Sequence, residues 1–108
     1  VVVLSTAPLQ GGAGKLGAHE LARTLVDERL AACVNVLPGV RSYFRWRGAV
    51  DTAEELLLVV KTTSDRVPAL TARLTALHPY EVPEVLQLPV AGGLPAFLGW
   101  LADSVHQP

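Results

Sequence analysis

The order of hydrophobic periodicities along the chain predicts an α+β fold of βαββαβ order with a further C-terminal helix. Three observations carry the prediction: alternating or β-branched runs that read as strands, two stretches of helical spacing set between them, and a third strand with two apolar faces. Two βαβ halves of this kind close into one antiparallel sheet with both helices on one face, the ferredoxin-like arrangement. The doubly apolar third strand predicts that the open face is buried against further copies of the chain.

Val1-Val2-Val3-Leu4 reads as a strand buried on both faces, and the glycine-rich segment from Gln10 to Gly14 turns the chain. From about Lys15 to Ala32 the spacing is helical, with Ala18, Leu21, Ala22 and Leu25 on one face and Glu20, Arg23, Asp27 and Glu28 outward. Residues 33–47 return to period two. Val40, Ser42, Phe44 and Trp46 take one side and Arg41, Tyr43, Arg45 and Arg47 the other, while Pro38-Gly39 predicts a bulge or bend. Gly48 turns the chain and leaves Asp51, Glu54 and Glu55 as a solvated acidic hairpin tip.

Glu54 to Thr63 forms the third strand, with Leu56, Leu58 and Val60 on one face and Leu57, Val59 and Lys61 on the other. Asp65 to Leu77 forms the second helix along Val67, Leu70, Leu74 and Leu77. Asp65 serves as its N-cap, and Pro68 falls in the first turn, where a missing N–H is harmless. Val85 to Val90 is a fourth strand. Gly92-Gly93 precedes a last helix from Leu94 to Ser104, with Leu94, Phe97, Leu98 and Leu101 on its apolar side, and residues 105–108 form a tail without an evident task.

Length fits one domain over residues 1–108, and 50% hydrophobic content places it in the globular class. Nine basic residues against ten acidic ones give no field for nucleic acid or an anionic membrane. The single cysteine, Cys33, rules out an intrachain disulfide framework and suits a reducing compartment. No apolar run approaches a membrane span. The missing initiator Met predicts further residues ahead of Val1, which could include a targeting segment.

The segment His78-Pro79-Tyr80-Glu81-Val82-Pro83-Glu84 holds an imidazole, a phenol and carboxylates on a connector stiffened by two prolines. Loops held this way serve sites, although a helix stop followed by a strand start with solvated glutamates is an equally simple account. Lys61 is the sole charge inside an apolar strand and must find a partner, with Glu81 and Glu84 the natural ones.

The chain resembles the CutA family of divalent-cation tolerance proteins over essentially its whole length. The segments that carry the resemblance are Val2-Val3-Leu4-Ser5-Thr6-Ala7-Pro8, Leu30-Ala31-Ala32-Cys33-Val34-Asn35, Tyr43-Phe44-Arg45-Trp46-Arg47-Gly48, Val60-Lys61-Thr62-Thr63, the connector 78–84, and Phe97-Leu98-Gly99-Trp100-Leu101. The resemblance implies a cytoplasmic homotrimer of ferredoxin-like subunits, similar in assembly to PII-type proteins that bind small effectors between subunits, with no settled enzymatic activity. Copper binding in some members is attributed to a cysteine ending the first strand and two histidines ending the second helix. Those positions hold Ser5, Leu77 and His78 here, so His78 alone remains as a metal ligand and any site for Cu²⁺ or another divalent cation is weak. The competing reading has His78 close the helix as a partial positive charge against its dipole.

Four function classes follow. The first is a metal-responsive trimer. The second is a module for a small anionic effector in inter-subunit clefts, with Lys61, Tyr80, Glu81, Glu84, Trp46 and Trp100 as candidate lining. A purely structural adaptor is third. An enzyme using His78 and Glu81 as acid and base ranks last, because no nucleophile with an oriented base is present.

Overall fold

A computed structural model describes residues 1–106 of the chain. Its elements are β1 (Val2–Ala7), α1 (Ala18–Asp27), β2 (Cys33–Trp46), β3 (Ala49–Lys61), a single 3-10 turn (Ser64–Arg66), α2 (Val67–Leu77), β4 (Leu86–Leu88) and α3 (Pro95–His106). The four strands form one antiparallel sheet in the order β2-β3-β1-β4, the ferredoxin-like order. Period two explains the layering. Val3, Ser5 and Ala7 of β1 and Leu56, Leu58 and Val60 of β3 turn to one side, where they bury against Ala18, Leu21 and Leu25 of α1 and Leu70 and Leu74 of α2. Among the described residues no helix is long and apolar enough to cross a membrane.

The helix ends differ from those expected. α1 starts after Gly17, whose amide donates to Glu20 Oε1 at 3.2 Å, and a Cβ at Gly17 would collide with the Leu9 carbonyl. It stops at Asp27, five residues short of the predicted end at Ala32, because Arg29 turns left-handed at φ 59°. The amides of Arg29 and Leu30 then bond back to the carbonyls of Val26 and Leu25, a Schellman closure built on arginine instead of glycine. Asp65 is not an N-cap. It lies in the 3-10 turn and accepts from His106 Nε2 at 2.8 Å, while α2 begins after Arg66 without a side-chain cap.

The hairpin β2–β3 is longer than predicted. Arg47 and Gly48 both have positive φ, 51° and 82°, and make the two-residue turn that matches strand twist, so β3 starts at Ala49. The register shift between Leu37 and Val40, with Gly39 at φ 80°, is the bulge expected at Pro38-Gly39. Asp51, Glu54 and Glu55 therefore sit inside a strand, opposite Phe44, Arg41 and Val40, and not at a solvated tip. Beyond Leu56 the sheet is only two strands wide, since β1 pairs with β3 from Leu56 to Lys61 alone.

α3 runs to His106 and is held at its end. Arg66 Nε and Nη2 donate to the Val105 carbonyl at 3.2 and 2.8 Å, Val105 is fully buried, and Leu101 and Val105 pack on Ala32. Residues 105 and 106 are thus part of the structure and not an idle tail; Gln107 and Pro108 lie outside the described residues. The expected apolar side is mostly uncovered, with Leu94 70% exposed and Phe97, Leu98 and Trp100 well exposed.

Ser5 Oγ is buried without a hydrogen-bond partner among the described residues. Such a hydroxyl costs about 1–3 kcal/mol in proteins. Ser5→Ala is therefore expected to stabilise the fold by about 1 kcal/mol in denaturant unfolding. A loss of stability would show that the hydroxyl has a partner after all.

Candidate functional site

The connector between α2 and β4 is anchored by His78. Its amide still donates to the Leu74 carbonyl at 2.9 Å, but Pro79 forces the residue before it out of the helical region, and ψ at His78 is 139°. The ring is turned inward and only 1% exposed. Nε2 lies 2.8 Å from the Thr6 carbonyl and Nδ1 lies 3.0 Å from the Tyr80 amide. A carbonyl only accepts and an amide only donates, so both bonds exist together in one form, the neutral ring protonated at Nε2. Burial pushes the imidazole below its ordinary value of 6.5, opposed by the Thr6 carbonyl and the charge of Glu55. The dipole-compensating cation expected at this position is accordingly replaced by a neutral bridge.

Tyr80 continues the chain of contacts. Its ring packs tilted on His78 at 4.6 Å between centroids, and its hydroxyl donates to Glu55 Oε2 at 2.8 Å. Burial, then the bond to Glu55 and its charge, raise the phenol well above its usual range. Glu55 is 6% exposed; its second oxygen has no hydrogen-bond partner, and its carboxylate no ion-pair partner, among the described residues.

These groups form the inner end of a cleft of about 870 Å³ on the open face of the sheet. Antiparallel register sets its floor. Phe44 opposes Asp51, Ser42 opposes Ala53 and Val40 opposes Glu55, and directly opposed residues share a face. The far wall is Tyr80 to Glu84 of the connector.

Of the six residues expected to line a cleft, Trp46, Tyr80, Glu81 and Glu84 come together here, whereas Lys61 and Trp100 do not. Lys61 pairs in register with Val2 and Cys33, and stands six residues along β3 from Glu55, about 20 Å at the rise of a strand. Within the chain it pairs with neither Glu81 nor Glu84; Glu81 instead meets Arg47 at 3.8 Å. Trp100 is on α3, packed against Phe97. Four carboxylates, Asp51, Glu55, Glu81 and Glu84, line the cleft with the single cation Arg45. Glu55 and Asp51 were missed as site residues. A signal was present, since Glu55 is in phase with Leu57 and Val59 on an apolar strand face.

The residues at the family's copper-ligand positions do not fit a metal. Leu77 has no donor atom, Ser5 offers a buried hydroxyl, and both nitrogens of His78 are committed. No group of three His, Cys, Asp or Glu with metal-binding geometry occurs among the described residues.

Residues 1–104 match the family model described as CutA1 divalent ion tolerance protein. The divalent-cation tolerance protein CutA of Thermus thermophilus is 48% identical over 95% of each chain, and its solved structure superposes with a TM-score of 0.86. A mouse protein CutA is 48% identical over 83% of this chain, which spans about half (49%) of that relative's length. A structure described as the PII-like protein CutA from Nostoc is 31% identical, covers 97% of this chain and 96% of its own, and superposes with a TM-score of 0.85.

The lowered value of His78 sets a pH dependence. The unfolded ring takes up a proton near its ordinary value of 6.5, while the folded ring resists it, so the unfolded state binds more protons in that window. Stability contributed by His78 is fully present above pH 6.5 and is lost as pH falls from there through the folded value. Unfolding free energy measured against pH should decline over this range, and His78→Asn, which keeps an acceptor for the Tyr80 amide but does not titrate, should flatten the decline. An equal slope in both proteins would remove His78 as its cause.

Proposed function

Since the chain belongs to the CutA1 divalent ion tolerance family, we propose that it acts without catalysis of its own, as a cytoplasmic homotrimer in the response to divalent metal ions. The observation that carries the assembly is apolar surface left without cover. Leu86, Leu88 and Val90 in and just after β4, and Leu94, Phe97, Leu98 and Trp100 in or next to α3, are all exposed in the single subunit. Surface of this kind in a stable protein marks an interaction face. The outer half of the β2–β3 hairpin adds to it, because a two-stranded ribbon is marginal until something packs on it.

A second reading concerns the cleft, which has the size of a small-molecule site and an aromatic and polar lining. By likeness to the Nostoc protein described as PII-like, it takes a small effector, and in the trimer it lies between subunits. Affinity for copper or another divalent cation is weak in this proposal, because ligation by His78 requires the ring to release either Tyr80 or Thr6.

Light scattering coupled to gel filtration is expected to give the mass of three chains for the native protein, and a lower mass for the double variant Phe97→Lys, Trp100→Lys. A native monomer would sink the assembly. Calorimetric titration of metal-stripped protein with Cu²⁺ and Zn²⁺ should give only weak heats that His78→Asn leaves unchanged; tight stoichiometric binding lost in that variant would overturn the reading of a committed imidazole.

A further inference from the structure

We infer that the cleft is a site for a small organic cation carrying ammonium or guanidinium groups, with Glu55 as its anchor. This rests on the reading of the cleft as an effector site and gives the effector its chemical class. The carrying observation is Glu55, a residue only 6% exposed that lines the cleft and whose carboxylate receives a single hydrogen bond, from Tyr80, leaving its second oxygen open to the cleft. A carboxylate offers about four acceptor positions, and one kept out of water needs a charged partner or further donors. Among the described residues no cation supplies it.

The surroundings select the kind of cation. Asp51 on the floor and Glu84 on the opposite wall add negative charge. Of the basic residues nearby, Arg45 lines the cleft from a strand position opposite Val50, a single cation against four carboxylates, and Arg47 is engaged with Glu81. Phe44 and Trp46 share the cleft face with Glu55 and are about two-fifths exposed, at 40% and 42%. Aromatic faces beside carboxylates hold ammonium and guanidinium groups through the ring quadrupole. Trp46 already carries such a contact, with the Arg47 guanidinium 5.5 Å from its ring centroid. A bare metal ion would leave most of an 870 Å³ space empty, whereas an extended diamine or guanidino-amine reaches from Glu55 to Glu84 and covers the rings on the way.

The test is a titration at physiological salt with spermidine and agmatine, beside citrate and ATP as anions of similar size, read by tryptophan fluorescence and calorimetry. Spermidine or agmatine is expected to saturate the site and alter the fluorescence of Trp46, with the change absent in Trp46→Phe. Glu55→Gln keeps the Tyr80 bond and loses the charge, and should weaken the cation by about tenfold or more. Should Glu55→Gln not fold, Asp51→Asn and Glu84→Gln stand in, each expected to weaken binding severalfold. Saturation by citrate or ATP with no response to the cations overturns the cation and leaves the effector cleft standing. Silence from every compound overturns both, and cation binding indifferent to Glu55→Gln places the ligand elsewhere and overturns this site.

Discussion

The neutral imidazole of His78 is the contact on which the cleft depends. It joins the end of β1 to the connector, 72 residues apart in sequence, through one donated and one accepted hydrogen bond. Tyr80, fixed by the second of these, then reaches Glu55 on β3. This chain of bonds ties the connector to the paired strands β1 and β3, and each bond lies in a low-dielectric setting where its loss is expensive. Protonation would turn Nδ1 from an acceptor into a donor facing the Tyr80 amide. The connector would lose its anchor, so the cleft wall and the protonation state of one ring are tied together.

Much of the fold is legible in the sequence because periodicity is a direct record of which face is buried. The strand and helix order, the Pro38-Gly39 bulge and the open apolar face of β3 were all read that way. The ends of elements were less legible, because they are set by single backbone conformations. Arg29 and Arg47 adopt left-handed φ, and arginine does not announce it as glycine does. Asp65 has the chemistry of a cap, but His106, forty-one residues on, takes its carboxylate, and no local pattern records so distant a partner. At the site the same division holds. The connector was legible as a stiff, polar segment, while Glu55 was hidden by reading Gly48 as the edge of a short hairpin, which moved a buried strand position into a solvated tip.

The same difference bears on the charge of the cleft, whose expected lining set Lys61 beside Glu81 and Glu84 and left Glu55 to solvent. Register places Lys61 against Val2 and Cys33 at the far end of the sheet, and Glu55 beside Tyr80. The open face of β3 thus runs from a carboxylate through Leu57 and Val59 to an ammonium, apolar in the middle and oppositely charged at its ends.

A face divided in this way would make the proposed assembly and ligand binding interdependent. The floor of the cleft is the outer half of the β2–β3 hairpin, where Val40–Trp46 and Ala49–Glu55 pair only with each other. There β3 has one strand neighbour instead of two, and the aromatic residues Phe44 and Trp46 are partly uncovered. In the proposed assembly, packing of another copy on this surface would order the floor on which a ligand would rest. By linkage, a ligand that prefers the ordered floor strengthens the packing by the same factor that packing strengthens the ligand. In the proposed assembly, cleft and interface would be two uses of one strand pair, with the carboxylate of Glu55 where the two meet.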